Sequence, residues 1–215
     1  AGAAQARAQS AVNKPGRPPA GQAADFTGIW VKKDFLGERS EESGDDPQDP
    51  KSVPLKPEWS AKLAKVLAQA ARGDRIFDGT SLCLPPGTPR FAIFFYPKEI
   101  LMTPGQITIL SEYFNEVRRV FTDGRPHPQG DDLEPTFRGH SIGHWEGKTL
   151  VVHTVGVNDR TVYSARVPIT HSPTATITER IRLLDADRLE WITTVDDPAK
   201  LTRPWVRRAV LDRIG

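Results

Sequence analysis

Five histidines are the residues in this chain most able to carry chemistry near neutral pH, since imidazole both takes and gives a proton there. His127 sits in Arg125-Pro126-His127-Pro128, ahead of an acidic stretch with Asp131, Asp132 and Glu134. His171 sits in Thr170-His171-Ser172-Pro173. Both read as loop positions at strand ends, where barrel proteins place chemistry. The flanking prolines equally suit plain turn-making, and both readings stand. His140, His144 and His153 fall in one predicted hairpin, GHSIGHWEGKTLVVHT. Taking Glu146-Gly147 as a two-residue turn pairs Trp145 with Lys148, Ile142 with Val151 and His140 with His153. Opposed residues have Cβ atoms about 5 Å apart. That pair could share a proton or two positions of a metal. Zinc needs three or four protein ligands, so His127, His171 or Glu112 would have to complete such a site. The alternative is a solvent-facing pair, because Leu150 and Val152 occupy the opposite face of the strand.

Other candidates are weaker in pattern. Gly139-His140-Ser141-Ile142-Gly143 matches the nucleophile-elbow spacing, but an elbow needs a helix after the serine. The residues that follow form a hairpin, so the motif reads as a glycine-punctuated strand. Glu112 shares a strand face with Leu110 and Phe114, and a pairing with Arg118 or Arg119 across the break at Asn115 would satisfy its charge. Trp30, Tyr96, Tyr113, Trp145 and Trp205 are candidate apolar walls for a ligand, and Asn158 a candidate rim residue. No Walker A sequence, dinucleotide fingerprint, C-x-x-C or H-E-x-x-H occurs, so nucleotide, haem-c and zincin readings have no support.

The elements that would position these residues are mostly strands. Residues 91–96, 98–103, 106–114, 116–122, 140–145, 148–157, 174–184, 189–195 and 205–211 alternate or run apolar between turn signals such as Pro104-Gly105 and Asp123-Gly124. With a first strand at 25–31, this predicts a mainly β fold, an antiparallel up-and-down barrel of about eight to nine strands. Closure removes exposed edges. One amphipathic helix is predicted over 57–73, with Trp59, Leu63, Val66, Leu67 and Ala70 on one stripe, Pro57 at its start and Gly73 at its stop. Residues 1–24, almost free of large apolar side chains, read as a disordered tail, and 25–215 as a single barrel domain. Gly28-Ile29-Trp30 resembles the opening of lipocalin-like (calycin) barrels. In those barrels the Trp plugs the closed end and an Arg of the last strand stacks across it, for which Arg207 and Arg208 are the candidates here.

Composition narrows the class. The 215 residues are 38% hydrophobic and 26% charged with net charge +2, and no basic cluster suggests nucleic acid. No run approaches the roughly 18 apolar residues of a membrane span. Cys83 is the one cysteine, so no intrachain disulfide is possible. The opening AGAAQARAQS reads as the start of an exported mature chain, or equally as an ordinary Ala-rich disordered terminus.

From Cys83 to Trp205 the chain also resembles an uncharacterised family of exported bacterial proteins. The runs that carry this are Cys83-Leu84-Pro85-Pro86-Gly87, Arg118-Arg119-Val120-Phe121-Thr122-Asp123-Gly124-Arg125-Pro126-His127-Pro128, Trp145-Glu146-Gly147, Asn158-Asp159-Arg160-Thr161, His171-Ser172, and Asp197-Pro198 with Arg203-Pro204-Trp205. The resemblance implies a periplasmic or secreted location and a shared fold, but no reaction. In the family pattern His127 and His171 fit, whereas acidic residues or arginine stand where this chain has His140, His144 and His153.

These observations lead to three functional expectations. The first is a barrel enzyme acting on a small apolar or aromatic molecule by cofactor-free acid–base chemistry of lyase, isomerase or cyclase type. His127 and His171 would exchange protons, Glu112 and Arg119 would orient groups, and His140 and His153 are further candidates. The second is a carrier of such a molecule. The third is a metal site on His140 and His153.

Overall fold

The computed structural model describes residues 24–33, 49–74 and 79–214. The predicted tail, apart from Ala24, lies outside the described residues, as does the 38–48 part of the acidic, proline-broken stretch 38–55, which reads as a loop. The strands in chain order are β1 (Gly28–Val31), β2 (Lys98–Thr103), β3 (Gln106–Ser111), β4 (Glu116–Phe121), β5 (His140–Glu146), β6 (Thr149–Val155), β7 (Val162–Ser164), β8 (Val167–Thr170), β9 (Thr176–Leu183), β10 (Arg188–Asp196) and β11 (Trp205–Ile214). Nine of them close a barrel in the order β1-β11-β10-β9-β6-β5-β4-β3-β2, and β7 pairs with β8 apart from it. The expected mainly β barrel is thus observed.

Its pairing departs from an up-and-down meander. β4 and β5 run parallel, joined only at Val120↔Ser141 and Phe121↔Ile142. A parallel neighbour cannot follow through a tight turn, and the chain leaves β4 on a long crossover, residues 122–139, before returning as β5. The proline-rich RPHPQ segment lies in that crossover. The predicted strand at 91–96 is instead a single helical turn, α2 (Arg90–Ile93), capped by Pro89, followed by an extended run into β2. The predicted amphipathic helix forms as α1 (Pro57–Ala71), with proline in its first turn and Gly73 beyond its end at φ +90°.

Side-chain alternation sorts the barrel into two halves. One end of the interior is apolar, built from Trp30, Ile100, Ile109, Leu150, Ile181, Leu189 and Leu211. Trp30 is fully buried, and its indole nitrogen donates to the Phe26 carbonyl at 2.8 Å. The arginine across it is Arg213, with its guanidinium carbon 4.3 Å from the ring centroid and Nη1 donating to the Thr27 carbonyl at 2.6 Å. Arg207 and Arg208 lie too far back along β11, opposite Thr193 and Ile192. Arg213 is the direct partner of Trp30. Two residues along each strand, the inward positions turn polar: Lys98, Ser111, Arg118, Ser141, Thr154, Glu179 and Thr193 are all buried. A second apolar core, with Val53, Leu63, Tyr163, Ile169, Ile177 and Trp205, holds α1 and the β7–β8 hairpin.

Candidate functional site

The hairpin of β5 and β6 sets the geometry of three histidines. Its two-residue turn is Gly147-Lys148, with Glu146 paired to Thr149, one residue later than predicted. Gly147 has φ +59° and Lys148 has no positive φ. That is the pattern of a turn with glycine at its first central position, which moves the register. His140 therefore opposes Val155, and His153 opposes Ile142. The two histidines are diagonal neighbours on one face rather than a directly opposed pair. Because Leu150, Val152 and Thr154 face the interior, this histidine face is on the outer wall.

The crossover delivers the third ring between them. His127 Nδ1 lies 2.9 Å from His140 Nδ1, and His127 Nε2 lies 3.0 Å from His153 Nδ1. Each contact needs one N–H and one lone pair. A neutral His127 supplies one of each, so the three rings form a directed string. One added proton makes His127 a double donor, with both neighbours accepting. A second added proton would set two N–H groups face to face. Like charges about 4 Å apart repel by about 1 kcal/mol in water and about 4 kcal/mol at an effective dielectric of 20. Burial, then the charges of His153 and His140, hold His127 below the ordinary imidazole range. Burial, then Arg125, do the same for His140. Phe121 stacks on His140 with centroids 5.4 Å apart, and Arg125 covers Phe121 at 3.9 Å. His127 presents its two nitrogens to two different neighbours instead of converging on a point. Among the described residues, no group of three or more His, Cys, Asp or Glu is placed to hold a metal ion.

Behind this wall is a buried polar network that the sequence did not single out. Arg118 pairs with Glu179 through its two terminal guanidinium nitrogens and donates to Ser141 and Thr154. Trp191 Nε1 also donates to Glu179, at 3.0 Å. The signal for Glu179 was its position between Ile177 and Ile181, sharing their inward parity. Ser141 is thus a buried network hydroxyl in a strand, in keeping with the strand reading of its motif. Lys98 is fully buried, donating to the Phe94 and Tyr96 carbonyls at 2.6 and 3.0 Å. Burial, aided by Lys32, brings its ammonium down to about 7.

The remaining predicted residues scatter. His171 is buried against Tyr163, centroids 4.2 Å apart, on the second core rather than beside His127. Burial is the main cause that brings it down to about 4. Tyr163 donates to Asp197 at 2.7 Å. Burial pushes the Asp197 carboxyl up, but the Tyr163 and Ser172 donors outweigh it and leave it lowered. Glu112 is exposed, one residue past the end of β3, because Phe114 and Asn115 turn the chain with positive φ. Its expected partner Arg118 points inward, and Arg119 is exposed on the outer wall of β4. Glu112 lines a cleft of about 350 Å³ together with Pro97, Leu110 and Val117. Tyr96 and Tyr113 stack beside it at 4.5 Å. Trp30 and Trp205 are core residues, and Trp145 packs on Phe26 at 5.3 Å. None of these three is an open ligand wall. Asn158 caps a turn, its side chain accepting from the Arg160 N–H at 3.1 Å.

No protein-family model matches the chain, and no curated protein matches it.

Proposed function

We propose that this protein is a β-barrel enzyme that moves protons on a small apolar or aromatic molecule, without an organic cofactor, in a step of lyase, isomerase or cyclase type. The observation that carries this reading is His127, held by both ring nitrogens between His140 and His153 at 2.9 and 3.0 Å. Such a string accepts a proton at one end and releases one at the other, so the same centre acts as base and then as acid. Arg119 lies on the same wall, two residues from Phe121, where it would hold developing negative charge. The resemblance to exported proteins supports a periplasmic or secreted setting.

The test has two stages. Small molecules carried through purification are identified by mass spectrometry, and that compound class is then incubated with the protein in heavy water. Deuterium incorporation or conversion, lowered by about 100-fold or more in His127→Gln, is the expected result for loss of a general acid–base. Turnover undiminished in the variant would overturn the reading. A ligand bound but returned unchanged and unlabelled would make the protein a carrier.

A further inference from the structure

The β4–β5 seam differs from every other pairing in the described barrel. Two residue pairs join it, whereas neighbouring pairs such as β3–β4 run over six positions from Gln106↔Phe121 to Ser111↔Glu116. Side chains take over where the backbone ladder is short. On the inside, Arg118 of β4 binds Ser141 of β5, Thr154 of β6 and Glu179 of β9. On the outside, His127 of the crossover binds His140 of β5 and His153 of β6.

We propose that the histidine string is an acid-sensitive fastening beside this seam: it holds the crossover down on β5 and β6 while the string carries at most one proton, and it lets go when it takes a second. The inner network, built from Arg118, Ser141, Thr154, Glu179 and Trp191, contains no imidazole. The charges around the string do not neutralise further protons. Arg125 faces His140 and is itself bound by Asp123. Arg119 is exposed on the neighbouring β4. His144 and Arg180 both engage Glu146 further along the wall. The crossover's own acids, Asp131, Asp132 and Glu134, are exposed, and their charge is screened by solvent. Opening is therefore driven by acid. The released form takes up protons near the ordinary imidazole value, and the closed form only below it, so closure weakens as pH falls.

Amide hydrogen exchange of the whole chain, corrected for intrinsic rates, is compared at about pH 7.5 and about pH 5. Amides of β5 and the crossover are expected to lose at least about 10-fold protection at the lower pH while those of β9 and β10 keep theirs. In His127→Gln, and separately in His153→Gln, this local step is expected to shrink to less than about 3-fold. Loss spread evenly over the barrel, or a step of full size in both variants, would overturn the proposal. A full step in a protein without turnover leaves the fastening standing and removes the enzymatic reading; turnover without a step does the reverse.

Discussion

Glu179 sits at the centre of the polar network inside the barrel. It is fully buried and is held by Arg118 and Trp191. Two charges taken out of water are tolerated only while they satisfy each other. Glu179→Gln leaves the Arg118 guanidinium without its counter-charge, and urea unfolding should show a loss of about 3–5 kcal/mol. Restoring balance by also changing Arg118 to Met should recover part of this. Full recovery is not expected, since Ser141 and Thr154 then lose the Arg118 donor. At the apolar end, Arg213→Ala removes the cation over Trp30 and the bond to Thr27. Its expected cost is about 1–2 kcal/mol, read as a lowered unfolding midpoint with unchanged slope.

At the level of elements, a turn decides where the histidines lie. Gly147 sets the β5–β6 register through its positive φ, and a Cβ there would meet nothing within 4 Å. Gly147→Ala is therefore a test of backbone conformation alone, and should cost about 1 kcal/mol. Gly139 is different. It has φ +66°, and a Cβ would come within 2.6 Å of the Val155 carbonyl oxygen. Gly139→Ala combines strain with a backbone clash just where the crossover enters β5, so it should destabilise the protein by more than Gly147→Ala in the same denaturation assay. It should also shift the amide resonances of the β5 and β6 histidines.

Over the whole molecule, two buried bases impose a pH dependence. His171 protonates at about 4 in the folded chain, against an ordinary value of about 6.5. Between these values the unfolded chain binds more protons, so stability falls as pH drops, by up to about 1.4 kcal/mol per unit. Above the ordinary value the contribution is complete. His171→Phe fills the same space against Tyr163 without a titrating group and should flatten that slope. Lys98 acts in a higher window, since burial holds it at about 7, and the unfolded chain binds the extra proton between there and about 10.4. Stability should keep rising over that range in the native protein, and Lys98→Met should remove the rise. Thermal unfolding across pH 4 to 10 would measure both.

How much of this was legible in the chain follows from the range of the forces involved. Alternation along each strand and the local turn residues determined a mainly β barrel and a helix over 57–73, which the structure ends at Ala71, because these depend on neighbours a few residues away; the Trp30 plug came from the resemblance of Gly28-Ile29-Trp30 to lipocalin-like barrels. Glu179 shares the parity of Ile177 and Ile181, a signal that alternation alone does not separate from a solvent-facing charge. The partner of Glu179 was not readable, because Arg118 is joined to it across a seam closed by a parallel crossover. A one-residue question at Gly147 moved His140 from opposite His153 to diagonal with it. Only the closed tertiary structure could bring His127 between them, since its position depends on how residues 122–139 fold back over the wall. Closure likewise sent Glu112 and His171 to separate places. Local sterics set the elements, and long-range packing set which side chains meet.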